Sequence, residues 1–226
     1  MNKNLQTYGI VAVVVVALGA GAWTLFGPAE SPLAGIGGGQ TTEIKQTDMV
    51  HGSPSAPVTI IEYASMTCPH CAAWAKDVMP QINKEYVDTG KVKIVFREYP
   101  LDGAARMASA VARCLSGDQY FSFIDLLFAN QMNWLKDADG NQQITREDVV
   151  EGLANMGRQA GLGREKVEMC AADMNNLALV DANWMEGQTR YNVASTPTFI
   201  INGVTHSGGL SFEAMKQVID PLLPRS

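Results

Sequence analysis

A chain of 226 residues, 46% of them apolar, can build a core for one domain, at most two, and is too apolar and too varied for a disordered or low-complexity class. Charged residues make up 18% and the formal net charge is -6, so no basic stripe is present and nucleic acid is not an expected partner. Four cysteines are too few for a disulfide scaffold at this length, and two of them stand three positions apart, a placement that points to chemistry plus one staple.

The first element in chain order is a membrane-entering helix. Lys3 is the only charged side chain before Glu30, and Gly9 to Phe26 is an apolar or small run relieved only by Thr24. The lone positive charge ahead of the run keeps Met1 in the cytosol and exports everything that follows. Ala20, Gly21 and Ala22 form an A-x-A-like cleavage site, yet Trp23, Leu25 and Phe26 carry the run past it. Residues 1–27 therefore read as a signal-anchor, with a cleaved signal peptide as the alternative. Residues 28–47, dominated to about Gln40 by Gly, Pro, Ser and Gln, read as a flexible linker, and 48–226 as the working domain in an oxidising compartment.

Beyond Asp48 strands and helices alternate. Val58 to Tyr63 is a β-branched run behind Pro57, and Val92 to Phe96 is a second strand. Between them a helix begins after Thr67 and carries Ala72, Trp74, Val78, Ile82 and Tyr86 before Gly90 stops it, with Pro80 as a kink. The three form a βαβ unit. From Asp102 to about Tyr191 a helical block follows, with segments near 103–115, 118–130, 145–157, 163–173 and 176–190, the third opening on the capping-box-like pair Thr145 and Asp148. Its methionines, Met132, Met156, Met169, Met174 and Met185, are expected as flexible core filler. Strand patterning returns at Thr198 to Ile201 and Val204 to His206, joined by the hairpin pair Asn202-Gly203, and an amphipathic helix runs from Ser211 to about Ile219. The pattern is an α/β domain with a helical insertion.

The strongest chemical signal is Cys68-Pro69-His70-Cys71 at the start of the first helix of that domain. Cysteines at i and i+3 on a first helical turn lie on one side, close enough to bridge, and the free backbone N–H groups there favour a thiolate. Cys68, at the exposed helix start, is the expected nucleophile, and Cys71, one turn deeper, the resolving thiol. His70 adds a donor or a partial positive charge beside them; its bland reading is a solvated histidine with no role. A stabilised thiolate favours the reduced form and makes the disulfide oxidising. Zinc would need a second cysteine pair, whereas Cys114 and Cys170 stand alone, so no metal and no cofactor are expected. Trp74 keeps helical spacing with Cys71 and Val78 and reads as core, the alternative being that it borders the site with Met66. His51 and His206 read as ordinary loop and strand residues.

The runs SAPVTIIEYASMTCPHC, VKIVFREYPL and STPTFIING, with the helical block between the last two, resemble the DsbA-like thiol-disulfide oxidoreductases of the thioredoxin superfamily over roughly Val50 to Leu223. The resemblance implies a thioredoxin fold with a large helical insertion at about 102–191, on the periplasmic side of a bacterial inner membrane, or free in the periplasm if the signal is cleaved. It implies that reduced exported client proteins receive the Cys68 to Cys71 disulfide and that a membrane redox partner restores it. Pro197 matches the superfamily proline that follows a cis peptide bond, and Thr196 before it would offer backbone hydrogen bonds to an extended substrate. Glu62 matches a buried acid that takes or relays the resolving thiol's proton, against the plain reading of a solvent-facing strand carboxylate. Arg97 falls where the family often has a basic partner.

Cys114 and Cys170 are the remaining thiols of an exported chain and pair as a structural disulfide, the alternative being two buried free thiols. Two other functions stay open: a disulfide isomerase or reductase using the same residues, and a copper or thiol chaperone built from the CPHC motif with His206 or His51.

Overall fold

Valine- and isoleucine-rich runs assemble a five-stranded sheet in the computed structural model, which describes residues 42–136 and 143–225. The anchor or signal and the linker as far as residue 41 lie outside the described residues. The strands are β1 Met49–His51, β2 Val58–Ala64, β3 Val92–Glu98, β4 Thr198–Ile201 and β5 Val204–Ser207, in the order β1-β3-β2-β4-β5. β2 and β3 are parallel; the other pairs are antiparallel. β1 is an addition to the sequence reading: three residues make too short a run to stand out, and they become a strand by pairing with Phe96, Val95 and Ile94. This moves His51 from a loop onto a strand. At the other edge Asn202 and Gly203 both take positive φ, as a two-residue hairpin turn requires.

The helix after β2 is broken in two. α1 Pro69–Asp77 ends at Val78, and α2 Met79–Ile82 starts with Pro80 in its first turn, where the missing proline N–H costs no helical bond. A turn of π-helix, Asn83–Val87, follows. The insertion comprises α3 Gly103–Ala112, α4 Asp118–Ala129, the single turn α5 Gln131–Trp134, α6 Arg146–Gly157, α7 Arg164–Ala171 and α8 Met174–Tyr191; α9 Phe212–Ile219 closes the fold. Side chains start these helices where the sequence places caps. Asp102 accepts from the Ala105 N–H, Thr145 and Asp148 form the reciprocal capping box, and Ser211 accepts from the Ala214 N–H.

The methionine expectation is corrected. Of those five only Met156 packs against the core, whereas Met132, Met174, Met185 and Met169 are 83%, 73%, 58% and 55% exposed. Alanines, aromatics and Leu or Val fill most of the insertion's core, and these four thioethers fall on its outward faces.

Strand alternation divides the chemistry between the two faces of the sheet. Val58, Ile60, Glu62 and Ala64 share a face with Ile94, Phe96 and Phe199, covered by α1, α2, α4 and α9. Ile61, Tyr63, Val95 and Ile200 line the other, against Tyr99, Tyr191 and Val193. α8 crosses that face at Gly187, where a Cβ would stand 3.0 Å from the rings of Tyr63 and Tyr99. Arg97 is opposite Tyr63 and fully buried there. Its guanidinium donates to both Asp48 carboxylate oxygens at 3.0 and 2.7 Å, to Glu186 at 3.0 Å, to the Tyr63 hydroxyl and to the Glu43 carbonyl. Arg97 is therefore a structural clamp, not a partner of the redox pair. Lys45, bonded to Asn183 and Glu186, belongs to the same network, so the ordered body reaches back into the stretch that composition alone assigns to the linker.

Candidate active site

Cys68 is the N-cap of α1, with extended backbone, and Cys71 lies on the first turn. Both are free thiols. Three contacts hold the segment in place: Thr67 donates to Asp102 at 2.7 Å, and the Gln131 side chain donates to the carbonyls of Met66 and Cys68 at 2.8 and 3.0 Å. The sequence reading missed Gln131 and Asp102. Asp102 carries a local signal as a cap, whereas nothing in sequence connects Gln131 to a loop more than sixty positions away.

The two sulfurs sit in opposite environments. Cys68 is pulled down to about 5 by a hydrogen bond from the Cys71 thiol, against burial, and then by the Thr196 side chain and by the backbone N–H groups of Cys71 and His70. Cys71 is pushed far up, first because it is the donor to Cys68 and then by burial and by the nearby Glu62 carboxylate. The His70 backbone N–H is one of the groups that lower Cys68, and the residue itself is exposed. Cys68 is less open than a helix start suggests: the residue is 4% exposed, and its S–H donates to the Thr196 carbonyl at 3.4 Å. The Thr196–Pro197 peptide bond is cis, and both residues are buried.

Beside this pair runs a groove of ≈ 520 Å³ between α1 and the loops before β4 and α9, lined by His70, Trp74, Val78, Ser195, Thr196 and Leu210. Trp74 serves both readings given for it. It is 3% exposed, packs on Phe199 with ring centroids 4.6 Å apart and donates to the Leu210 carbonyl, yet one edge forms the groove wall. Met66 is fully buried.

Glu62 lies on the α1 side of the sheet and is 1% exposed, so the solvent-facing reading does not hold. Burial raises its carboxyl to about 8, with the Asp125 charge adding to the shift. It is close enough to Cys71 for its negative charge to disfavour the Cys71 thiolate. Cys114 and Cys170 are joined by a disulfide between the turn after α3 and α7. Cross-linking positions 56 residues apart removes unfolded-chain entropy worth about 4 kcal/mol in the loop-closure picture. His206 stands on β5 and His51 on β1, and among the described residues no three His, Cys, Asp or Glu side chains converge as metal ligands.

One expected result follows from the asymmetry of the thiols. At pH 5.5 to 6 the reduced protein should be alkylated at Cys68 and hardly at Cys71, read by peptide mapping after a short pulse of a small alkylating agent. Equal labelling of the two would contradict the environments described.

A strand–helix–strand unit with paired thiols at the helix start, faced by a cis-proline loop and a buried acid, places the fold and site in the thioredoxin superfamily. The profile of the family described as Thioredoxin matches residues 44–221, and the chain belongs to that family as a DsbA-like member. Among solved structures it is similar to alpha-DsbA1 of Wolbachia pipientis, at 26% identity and a TM-score of 0.71 over 80% of this chain and 93% of that one. A protein-disulfide isomerase from Novosphingobium aromaticivorans shares the fold, with 21% identity and a TM-score of 0.67 over 79% of this chain and 99% of that one. A Rickettsia conorii protein named as a protein-disulfide oxidoreductase is 28% identical over 184 residues, 81% of this chain, and the chain spans 63% of that relative's length.

Proposed function

We propose that the chain is a thiol-disulfide oxidoreductase that passes a Cys68 to Cys71 disulfide to reduced exported client proteins. The observation that carries this reading is the opposed pair of thiols, Cys68 held low and Cys71 held high across one helical turn. A client thiolate attacks the Cys68 sulfur and breaks the Cys68 to Cys71 bond. Cys71 leaves with the electron pair and, being strongly basic, takes the proton of the neutral Glu62 carboxyl. A second client thiolate then attacks the client sulfur of the mixed disulfide, and Cys68 leaves as a stabilised thiolate. During this interval the groove along Thr196 and Trp74 holds the client chain in extended form, with the backbone beside Pro197 offered to it. No cofactor takes part in these steps.

A low Cys68 pKa favours the reduced enzyme, which supports oxidase over isomerase or reductase action by the same residues. Re-oxidation falls to a redox partner at the membrane, with residues 1–27 as the anchor, residues beyond them as its tether, and the domain on the periplasmic side. Cleavage of that segment would leave the same domain soluble in the periplasm.

The test is catalytic turnover of a reduced dithiol peptide in a glutathione buffer. Oxidation by many equivalents per enzyme, lost in Cys68→Ser, is the expected result. Stoichiometric Cu(I) binding without turnover would favour the chaperone reading, and activity that needs the reduced enzyme and scrambled disulfides the isomerase reading.

A further inference from the structure

Glu62 is sealed from solvent on its own strand, so a proton it gives to Cys71 has to be replaced from elsewhere. The groups that interact electrostatically with it come from two helices packed on that face: Cys71 from α1, and Asp125 and Tyr120 from α4. Tyr120 is fully buried and its hydroxyl donates to Glu98 at 2.8 Å, so it has no route outward. Asp125 has one. It is an exposed residue that lines a crevice of ≈ 310 Å³ between α1, α2 and α4, together with Ala72, Ala75, Lys76, Asn83 and Phe128. Ala72 is the residue after Cys71, which brings the crevice wall within one position of the resolving thiol.

Among the described residues two buried oxygens have no hydrogen-bond partner here: Asn83 Oδ1, of the crevice lining, and Glu62 Oε1, on the carboxyl that feels the Asp125 charge. Buried polar atoms of this kind, beside a crevice with room for several water molecules and with Lys76, Asn83 and Asp125 in its lining, are where ordered water is found. The charges facing Asp125 are Glu62 from β2, His51 from β1 and Lys76 across the crevice. The low-polarity walls hold the Asp125 carboxyl above the usual range, His51 acting in the opposite sense.

We propose that Asp125 is the outer carboxyl of a two-step proton path through this crevice, with Glu62 as the inner carboxyl and Cys71 as its end. This rests on the role given to Glu62 above. When Cys71 leaves as a thiolate, Glu62 gives it a proton and becomes a carboxylate. Asp125 then passes a proton inward by way of water and is reprotonated from solvent. In the reverse direction, as Cys71 attacks a mixed disulfide on Cys68, the same proton runs outward. Asp125 is a positioning residue that acts through Glu62 and touches neither sulfur.

The test compares the full-length chain with Asp125→Asn, Asp125→Glu and Glu62→Gln. In single-turnover oxidation of a reduced dithiol peptide, Asp125→Asn is expected to be slowed about threefold or more at pH 7.5 to 8 and little at pH 5.5, where bulk protons reach Glu62 by any opening. Asp125→Glu should restore the rate; a loss that is the same at both pH values, or that glutamate fails to rescue, overturns the path and marks a structural defect. An unchanged rate in Asp125→Asn also overturns it. Infrared titration of the buried carboxyl separates this from failure of the underlying reading. A band titrating near pH 8 and absent from Glu62→Gln upholds Glu62 whatever Asp125 does; its absence from the parent chain removes Glu62 and the path together.

Discussion

Between pH 9 and pH 5 the reduced protein is expected to lose roughly 4 to 5 kcal/mol of unfolding free energy that a Cys68→Ser variant does not lose. The Cys68 thiol is lowered from an ordinary value of 9.0 to about 5 in the fold. Between those values the unfolded chain binds the proton and the native state does not, so stability rises with pH. The contribution is complete above the unfolded value and disappears as pH falls through the folded one. Near pH 7 about half remains, roughly 2 to 3 kcal/mol, equivalent to about 60 mV toward an oxidising couple. The oxidised protein, with no thiolate, gains nothing from this source. Urea unfolding of the reduced protein and of Cys68→Ser at pH 5, 7 and 9 measures the difference directly. Parallel pH profiles for the two would mean that the helix start and the Cys71 thiol do not stabilise the Cys68 thiolate.

The features legible in the sequence are the local ones. Cys68 and Cys71 declare themselves by spacing, Asn202-Gly203 by the positive φ its turn demands, and Thr145 with Asp148 by a bond that closes within four residues. What escaped depends on distant partners. β1 exists because β3 offers it an edge, and Gln131 matters because α5 happens to start beside the carbonyls of Met66 and Cys68. Arg97 is instructive because its placement was within reach. In strands period two decides the face, and once β2 and β3 run parallel in register Arg97 must share a face with Tyr63 and not with Glu62. Asp125 had no such signal, since an acidic residue on a helix reads as a solvated face until the helix beside it is placed.

Glu62→Gln is expected to stabilise the protein while impairing it. The carboxyl is 1% exposed, has an oxygen without a partner and is raised from 4.5 to about 8 by burial and by the Asp125 charge. Here the native state holds its proton longer than the unfolded chain does. The sign is opposite to that of Cys68: stability is intact below pH 4.5 and is lost as pH rises through 8. A group of this kind costs roughly 3 kcal/mol at pH 7 and approaches 5 kcal/mol above pH 9. Glutamine keeps the shape and a similar unsatisfied polar edge but cannot ionise. The gain of Glu62→Gln over the parent chain should therefore be small near pH 4 and grow steadily across the window, as measured by denaturant midpoints from pH 4 to 9. A gain independent of pH would mean that packing, not ionisation, separates the two chains. Retaining so costly a residue is explained by what it does for the sulfur above it. With the amide in place, Cys71 has no neighbouring proton donor as it leaves, so client oxidation at neutral pH should slow about tenfold or more even though the fold is firmer.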